Sequence, residues 1–246
     1  MKNILIIGAT SGIAVACARL WAQQACRVFL IARDAEKTSQ VQNDLVARGA
    51  TVVGTYLLDV TVLDRHTQAI RQAHAALGGI DIVLIAHGTL PDQSACENDV
   101  QLGLQEFTAN GTSVISLLTL LAPIMESQKQ GTLAVISSVA GDRGRPSNYV
   151  YGAAKAAVSA FCEGMQARLF KSGVHLLLIK PGFVATPMTA GLKLPAALTS
   201  TPERVARDIH RAIENKTNVL YTAWFWRYIM LIVRHVPVFI FKKLHL

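Results

Sequence analysis

The chain has 246 residues, of which 51% are apolar and 16% are charged, and it carries a net charge of +8. This length suffices for one α/β domain with a full core, and the composition excludes a disordered chain. Residues 217–246 contain four basic residues and no acidic one, which favours an anionic membrane surface over a nucleic acid as partner.

Seven nearly continuous apolar runs predict strands that are buried on both faces. These runs are Asn3–Gly8, Arg27–Ala32, Thr51–Leu58, Ile80–Ala86, Gly131–Ser138, Val174–Lys180 and Thr217–Thr222. Helical patterns separate them at Gly12–Gln24, Ala35–Arg48, Leu63–Leu77, Glu106–Gln128, Asn148–Lys171 and Pro202–Asn215. The alternation predicts a Rossmann-like α/β fold, a doubly wound parallel sheet of about seven strands with helices on both faces. We expect one such domain over residues 1–222 and an amphipathic, apolar and basic tail over residues 223–246.

The cysteines and histidines show neither a disulfide pattern nor a metal-binding pattern. The four cysteines contain no CxxC pair, and the seven histidines lack the spacing of metal ligands. The N-terminus leads directly into a strand, without the pattern of a signal peptide. We therefore expect free thiols, a cytoplasmic location and no metal site.

A glycine-bearing turn follows the first predicted strand. It reads GATSGIA over residues 8–14, with the spacing GxxxGxA. Such a turn lets the backbone approach a pyrophosphate, and the helix that follows supplies N–H groups to it. A tight turn with close packing would show the same pattern. The candidate nucleotide-binding residues of this turn are Gly8, Thr10, Ser11, Gly12 and Ile13.

The ends of the second and third predicted strands indicate which nucleotide binds. An acidic residue at the end of the second strand would bind the ribose hydroxyls of NAD, but the sequence has Ala32 and Arg33 there. A guanidinium suits a 2′-phosphate, so we predict NADP(H) in preference to NAD(H), with a solvated surface arginine as the alternative. Asp59, after the third strand, is a candidate for the adenine edge, or a residue that merely begins a helix.

Tyr151 and Lys155 form a YxxxK pair at the start of a predicted helix. Positions four apart share one helix face, so the phenol and the ammonium project the same way. The ammonium and the positive nicotinamide of an oxidised cofactor would lower the phenol pKa, which is otherwise about 10. Ser138, at the end of the fifth predicted strand, could hold a substrate oxygen beside Tyr151.

Together these motifs resemble the short-chain dehydrogenase/reductase family over residues 2–222. The matching pieces are GATSGIA (8–14), LDV (58–60), TANGT (108–112), ISSVAG (136–141), YGAAK (151–155) and PGFVAT (181–186). The resemblance implies that Tyr151 is the general acid in ketone reduction, that Lys155 lowers its pKa and binds the nicotinamide ribose, and that Ser138 polarises the carbonyl. It also implies that Asn110 supports a water-mediated proton relay. Further nucleotide contacts implied in this way are Val60, Ala86, Gly88, Pro181, Gly182, Val184 and Thr186.

The sequence departs from the family pattern at two places. Ala14 replaces the third glycine of the turn, which should still permit close packing. After the fourth strand, the usual Asn-Asn-Ala-Gly is replaced by Ile-Ala-His-Gly over residues 85–88, in which only Ala86 and Gly88 keep residue types of the motif. His87 is either a catalytic group or a structural, hydrogen-bonded histidine, and we favour the structural role.

The tail resembles a narrower group, the decaprenylphosphoryl 2-keto-erythro-pentose reductases, at WRYIM (226–230), RHVP (234–237) and IFKKL (240–244). This resemblance implies reduction of the keto group of a polyprenyl-phosphate-linked sugar that a flavin oxidase partner supplies. The apolar runs of the tail are shorter than the roughly 20 residues of a membrane span. Its aromatic and basic residues suit an interfacial segment that contacts the membrane peripherally. Packing on the substrate pocket or on a sister subunit is the alternative.

Other functions and assemblies stay open at this point. The substrate could instead be a soluble hydrophobic ketone, such as an acyl, steroid or xenobiotic carbonyl, or the chain could be a non-catalytic NADP(H)-binding sensor or scaffold. Residues 187–200 predict either a mobile cover over the substrate or an ordinarily packed loop. A homodimer or homotetramer is predicted from apolar residues on two helices, namely Leu117, Leu118, Leu120, Leu121, Phe161 and Met165.

Overall fold

Within residues 1–243, which the computed structural model describes, the chain forms nine strands. They are β1 (Asn3–Ile7), β2 (Arg27–Ala32), β3 (Thr51–Leu57), β4 (Ile82–Ile85), β5 (Thr132–Ile136), β6 (His175–Pro181), β7 (Phe183–Val184), β8 (Thr199–Ser200) and β9 (Val219–Thr222). Seven of them form one parallel sheet in the order β3-β2-β1-β4-β5-β6-β9, while β7 pairs with β8 separately. The predicted doubly wound sheet is confirmed, and the chain order reverses beside β1.

Helices connect the strands and cover both faces of the sheet. They are α1 (Gly12–Ala22), α2 (Ala35–Ala47), α3 (His66–Leu77), α4 (Gln93–Asn98), α5 (Val100–Phe107), α6 (Ser113–Gln128), α7 (Tyr149–Phe170), α8 (Pro202–Glu214), α9 (Trp226–His235) and α10 (Val238–Phe241). One hydrophobic layer holds α3, α6 and α7 against the sheet, and the other holds α1 and α8. Leu5 enters the first layer and Ile6 the second, because successive residues of a strand point to opposite faces.

A single long helix runs from Val100 to Gln128 through α5, a π-helical turn at Thr108–Thr112, and α6. It begins before the predicted Glu106, because the carboxylate of Asp99 caps it. This carboxylate accepts hydrogen bonds from the backbone N–H groups of Gln101 and Leu102. By length and composition this helix could cross a membrane, yet 50% of its most apolar window is buried inside the protein. Core helices show the same combination, so it is weak evidence for a span.

The apolar side chains from which we predicted an oligomer belong mostly to the core. Leu117, Leu118 and Leu121 are fully buried, and Met165 is 6% exposed. Leu120 and Phe161 are also partly buried against this core. That reasoning was therefore wrong, because one monomer already buries most of these side chains.

The tail packs one side against the domain and exposes the other side. Its described part forms α9 and α10, with Pro237 between them, and residues 244–246 of the predicted tail lie outside the described residues. Trp226 and Met230 are buried with Val139 against the loop that follows β5. The domain therefore holds one face of α9 next to the carboxyl edge of the sheet.

Candidate active site

A cleft of about 480 Å³ lies at the carboxyl ends of the parallel strands, where doubly wound folds bind their ligands. Ser138 lines it, together with every residue that the sequence indicated as a nucleotide contact. Those contacts are Gly8, Thr10, Ser11, Gly12, Ile13, Arg33, Asp59, Val60, Ala86, Gly88, Tyr151, Lys155, Pro181, Gly182, Val184 and Thr186.

The turn after β1 brings backbone against backbone. Gly8 has a φ of +80°, and a Cβ at this position would lie 2.4 Å from the backbone nitrogen of His87. Only glycine accommodates both the left-handed conformation and this approach. Ser11 then caps α1 by accepting a hydrogen bond from the backbone N–H of Ala14 at 3.2 Å. The first N–H groups of α1 therefore open onto the cleft, as a pyrophosphate site requires.

His87 is neutral and hydrogen-bonded, as the structural interpretation expects. Burial lowers its pKa to about 3, and the charge of Lys155 adds to the effect. Its Nε2 lies 2.9 Å from Ser113 Oγ, and Ser113 in turn donates to the carbonyl of Ala109. Nε2 therefore carries the hydrogen and donates it to Ser113. Its Nδ1 is buried without a partner among the described residues.

Two cations lie at the β2 end of the cleft, where the sequence had indicated only Arg33. Lys37, on the first turn of α2, also lines the cleft. Asp34 caps α2 by accepting from the backbone N–H of Lys37 at 3.0 Å, and its carboxylate lies 3.7 Å from Lys37 Nζ. The carboxylate of Asp34 is therefore already bound to the backbone and side chain of Lys37 at the start of α2. Hydrogen bonds from Thr61 and the charge of Arg33 lower the pKa of Asp59, which keeps it ionised.

Ser138, Tyr151 and Lys155 meet at the other end of the cleft. Ser138 lies close enough to the Tyr151 phenol to lower its pKa, and its Oγ accepts from the backbone N–H of Ala140 at 3.1 Å. Lys155 Nζ lies 5.7 Å from the centre of the Tyr151 ring and donates to the carbonyl of Ile136 at 3.3 Å. Because β5 ends at Ile136, the strand end fixes all three groups around one point.

The pKa of Tyr151 differs from the sequence expectation. Burial raises it, and the neighbouring hydroxyl of Ser138 lowers it by a smaller amount. Burial also lowers the pKa of Lys155 to about 8. The protein around Tyr151 therefore raises the pKa of its phenol, whereas the sequence analysis predicted a lowered pKa.

Asn110 lies outside the cleft lining, in the π-helical turn. Its Oδ1 accepts from the backbone N–H of Thr89 at 3.0 Å, and its Nδ2 donates to Thr89 Oγ1 and to the Glu106 carbonyl at 2.8 and 3.0 Å. Thr89 itself lines the cleft. The side chain of Asn110 thus positions the segment after β4, and its own polar atoms are occupied. The water-mediated proton relay that the resemblance implies at Asn110 stays a prediction.

Sequence reasoning missed the residues that line the substrate end. Arg145 and Asn148 lie on the loop between Ser138 and Tyr151, and this position between two motifs was the one signal available. The apolar side chains at this end are Leu90, Val139, Phe183, Met188 and Leu192. Met188 and Leu192 come from the segment that we predicted as a cover.

A buried ion pair anchors the loop that carries Arg145. Asp142 accepts hydrogen bonds from Lys180 Nζ at 2.7 Å and from the Tyr221 hydroxyl at 2.8 Å. The side chains of Asp142 and Lys180 are 2% and 6% exposed. The negative charge of Asp142 also raises the pKa of Tyr221 further above the level that burial sets.

Arg143, the next residue, joins the same loop to the tail. Its Nη1 donates to the carbonyls of Arg234 and Val236 at 3.1 and 2.7 Å, and its guanidinium stacks 3.8 Å above the Phe241 ring. A cation here satisfies carbonyls at the end of α9 that lack partners within the helix. The tail and the substrate loop are therefore one connected unit.

Among residues 1–243, no group of three or more histidine, cysteine or acidic side chains could hold a metal ion. The four cysteines are free and buried.

Comparison with known proteins identifies the family. Residues 2–196 match the short chain dehydrogenase family model. The chain is 37% identical over 241 residues to an uncharacterised oxidoreductase of Mycobacterium tuberculosis, covering 98% of this chain and 96% of the relative. It is 30% identical to the ketoacyl reductase HetN of a Nostoc species, over 88% of this chain and 76% of HetN. A solved structure of a short chain dehydrogenase/reductase family protein superposes with a TM-score of 0.77 and 27% identity, covering 90% of this chain and 97% of that one. The chain therefore belongs to the short-chain dehydrogenase/reductase family and is an oxidoreductase.

Proposed function

We propose that the protein is an NADP(H)-dependent reductase that interconverts a ketone and a secondary alcohol. The observation that carries this proposal is the convergence of Ser138, Tyr151 and Lys155 at one end of the cleft, where Ser138 lowers the pKa of the phenol. The family uses NAD(P)(H), and one similar protein is named a ketoacyl reductase. A non-catalytic sensor would not need this group of side chains.

The chemistry divides between the cofactor and the side chains. A reduced nicotinamide bound in this cleft would supply a hydride to the carbonyl carbon. Ser138 donates a hydrogen bond that holds the carbonyl oxygen, and Tyr151 donates its phenolic proton to that oxygen as charge develops there. Lys155, charged at neutral pH, stabilises the phenolate that remains until solvent returns the proton.

The preference for NADP(H) is supported by Arg33 and Lys37. Two cations beside a helix start suit a 2′-phosphate, and the neighbouring carboxylate of Asp34 is already bonded to Lys37. We expect Arg33→Ala to weaken NADPH binding by about tenfold to a hundredfold and NADH binding by less than about threefold. Titration of protein fluorescence with each nucleotide measures both. If Arg33→Ala weakens NADPH and NADH binding by the same factor, Arg33 does not bind the 2′-phosphate.

The enzyme proposal is tested by following NADPH oxidation with a panel of ketones. Tyr151→Phe should lower turnover at least about a hundredfold while NADPH binding persists. Tyr149→Phe is the matched control, because Tyr149 is 46% exposed and does not line the cleft. If the wild type binds NADPH, reduces no ketone, and the cellular function survives Tyr151→Phe, the sensor function replaces the reductase.

A second proposal concerns the tail, which we place on the cytoplasmic face of an anionic membrane. Large apolar side chains on its outward side are 43–70% exposed, namely Trp224, Tyr228, Leu231, Ile232, Val238, Phe239 and Ile240. The tail sequence carries four basic residues and no acidic one. A contiguous apolar patch rimmed by cations suits the interface of an anionic bilayer.

Membrane contact would bring the cleft close to a lipid-borne ketone. We therefore propose that the substrate is the keto group of a polyprenyl-phosphate-linked sugar, which a flavin oxidase supplies. A soluble hydrophobic ketone is the alternative. The apolar substrate end of the cleft accommodates either substrate. Genes for a flavin oxidase beside the gene for this chain would favour the first.

Vesicle sedimentation tests the membrane proposal. The wild type should bind phosphatidylserine-containing vesicles and be released by salt, and replacing Trp224, Leu231 and Ile232 by serine should abolish binding. Val46→Ser is the control, since this side chain is 53% exposed and belongs to α2, outside the tail. If the wild type does not bind the vesicles, the membrane proposal is excluded. If the wild type and the control are dimers and the tail variant is a monomer, the outward side of the tail binds a second copy of this chain instead.

We also propose a homodimer or homotetramer, which is typical of the family. Exposed apolar side chains at Val100, Leu104 and Phe170 supply candidate contacts in place of the core residues named from the sequence. Light scattering that shows a monomer at micromolar concentration would refute it.

A further inference from the structure

Two buried polar atoms at the substrate end of the cleft lack hydrogen-bond partners among the described residues. They are Nε of Arg145, a donor, and Oδ1 of Asn148, an acceptor. Both residues line the cleft. Buried polar atoms are almost always bonded, so two exceptions in one cleft wall point to groups on a ligand.

The local backbone places these two side chains beside the proton donor. The backbone N–H of Asn148 donates to the carbonyl of Arg145 at 3.1 Å, which closes a turn between them. Asn148 immediately precedes α7, and its own carbonyl accepts from the N–H of Gly152. Tyr151 follows three residues after Asn148. A group bound by Arg145 and Asn148 therefore lies near the phenol.

Neither Nε of Arg145 nor Oδ1 of Asn148 makes a hydrogen bond within the described part of the chain. The side chain of Asn148 makes no capping hydrogen bond to α7. The acidic residue that influences Arg145 is Asp142, and both of its oxygens are occupied by Lys180 and Tyr221. The guanidinium is partly desolvated without a dedicated anion in the described part of the chain, which is an unfavourable state unless a ligand supplies the anion.

We propose that Arg145 binds an anionic group of the carbonyl substrate, a phosphate or a carboxylate, and that Asn148 accepts a hydrogen bond from a hydroxyl of the same substrate. A guanidinium is suited to two parallel hydrogen bonds with either anion. The remaining wall is apolar, through side chains such as Leu90, Phe183 and Met188. The substrate class is therefore an amphiphilic hydroxyketone with one anionic group. This inference rests on the proposed reductase function and names its substrate class.

Binding of two matched ketones tests the inference without turnover. The probes are 4-acetylphenyl phosphate and uncharged 4-methoxyacetophenone, titrated calorimetrically into the protein saturated with NADP⁺. Saturation covers Arg33 and Lys37, so the phosphate cannot bind there, and the oxidised cofactor cannot reduce a ketone. The wild type should bind the phosphate at least about tenfold more tightly than the ether. Arg145→Met should abolish that preference, and Arg145→Lys should retain part of it.

Two further variants test whether the preference for the phosphate depends on Arg145 specifically. Lys193→Met removes an exposed cation from the segment over the cleft and should leave the preference unchanged. Asn148→Asp supplies Arg145 with an internal carboxylate and should lower phosphate binding even if Arg145→Met fails to fold. The inference is overturned if the wild type does not prefer the phosphate, or if Lys193→Met loses the preference as fully as Arg145→Met. Failure of the reductase function would show instead as a wild type that binds NADPH but reduces no ketone.

Discussion

Lys155→Met should stabilise the protein at neutral pH while it abolishes reduction. Lys155 is 2% exposed, and burial lowers its pKa from 10.5 to about 8. One pKa unit corresponds to ~1.4 kcal/mol, so holding this ammonium charged in the folded state costs about 3 kcal/mol below pH 8. Methionine removes that cost but also the hydrogen bond to the Ile136 carbonyl, which contributes about 1 kcal/mol. The expected net gain in the free energy of unfolding is about 2 kcal/mol near pH 7.

The gain should vanish as the pH rises. Between about pH 8 and pH 10.5 the unfolded chain keeps the proton on Lys155 and the folded protein releases it. The unfolded state then binds more protons, so the stability of the wild type rises with pH in this window. From about pH 7 to about pH 9.5 the rise is about 2 kcal/mol, which brings the two proteins close to equal stability.

Urea unfolding of nucleotide-free protein at the two pH values, at one fixed protein concentration, measures the difference. Lys193→Met, which removes an exposed ammonium, is the control and should show no pH-dependent difference from the wild type. The reasoning is refuted if the stability difference between Lys155→Met and the wild type is the same at both pH values, or if the variant is the less stable protein at neutral pH.

Three further changes test the connections around the substrate loop. Asp142→Asn leaves the buried lysine ammonium without its anion and should lower the free energy of unfolding by about 3–5 kcal/mol in urea; a loss below about 1 kcal/mol would contradict a buried pair. Arg143→Met should speed amide exchange in α9 by about tenfold to a hundredfold, while Arg227→Met, an exposed arginine on the same helix, should not. Gly182→Ala puts a Cβ 2.0 Å from the Trp226 indole, so indole fluorescence should change and turnover should fall; unchanged emission would place the indole elsewhere.

The sheet was predictable because strands that are buried on both faces have continuously apolar sequences. Each central strand is a run of apolar residues, and the two hydrophobic layers take alternate residues from it. The nucleotide end of the cleft was predictable for a similar reason. The turn at Gly8 and the pair at Tyr151 and Lys155 are short motifs whose function depends on local geometry, and the structure brings them into one cleft.

The substrate end could not be derived in this way, because its groups meet through contacts between distant segments. The motif around Asn110 does not reveal that its side chain bonds to Thr89, which lies 21 residues earlier. Lys37 belongs to the cleft only because α2 starts beside β2. No local pattern records that Arg145 has no internal anion, since that depends on Lys180 and Tyr221 occupying Asp142.

The sequence of the tail supports two opposed predictions because the segment is short and amphipathic. Contact with a membrane was one, and packing on the substrate pocket or on a sister subunit was the other. In the structure, Trp226 and Met230 lie four residues apart and face the loop after β5, whereas Tyr228 and Ile232 lie four apart on the outward side. Since Arg143 fixes the end of α9 to that loop, anything that binds the outward side is coupled mechanically to the wall that holds Arg145.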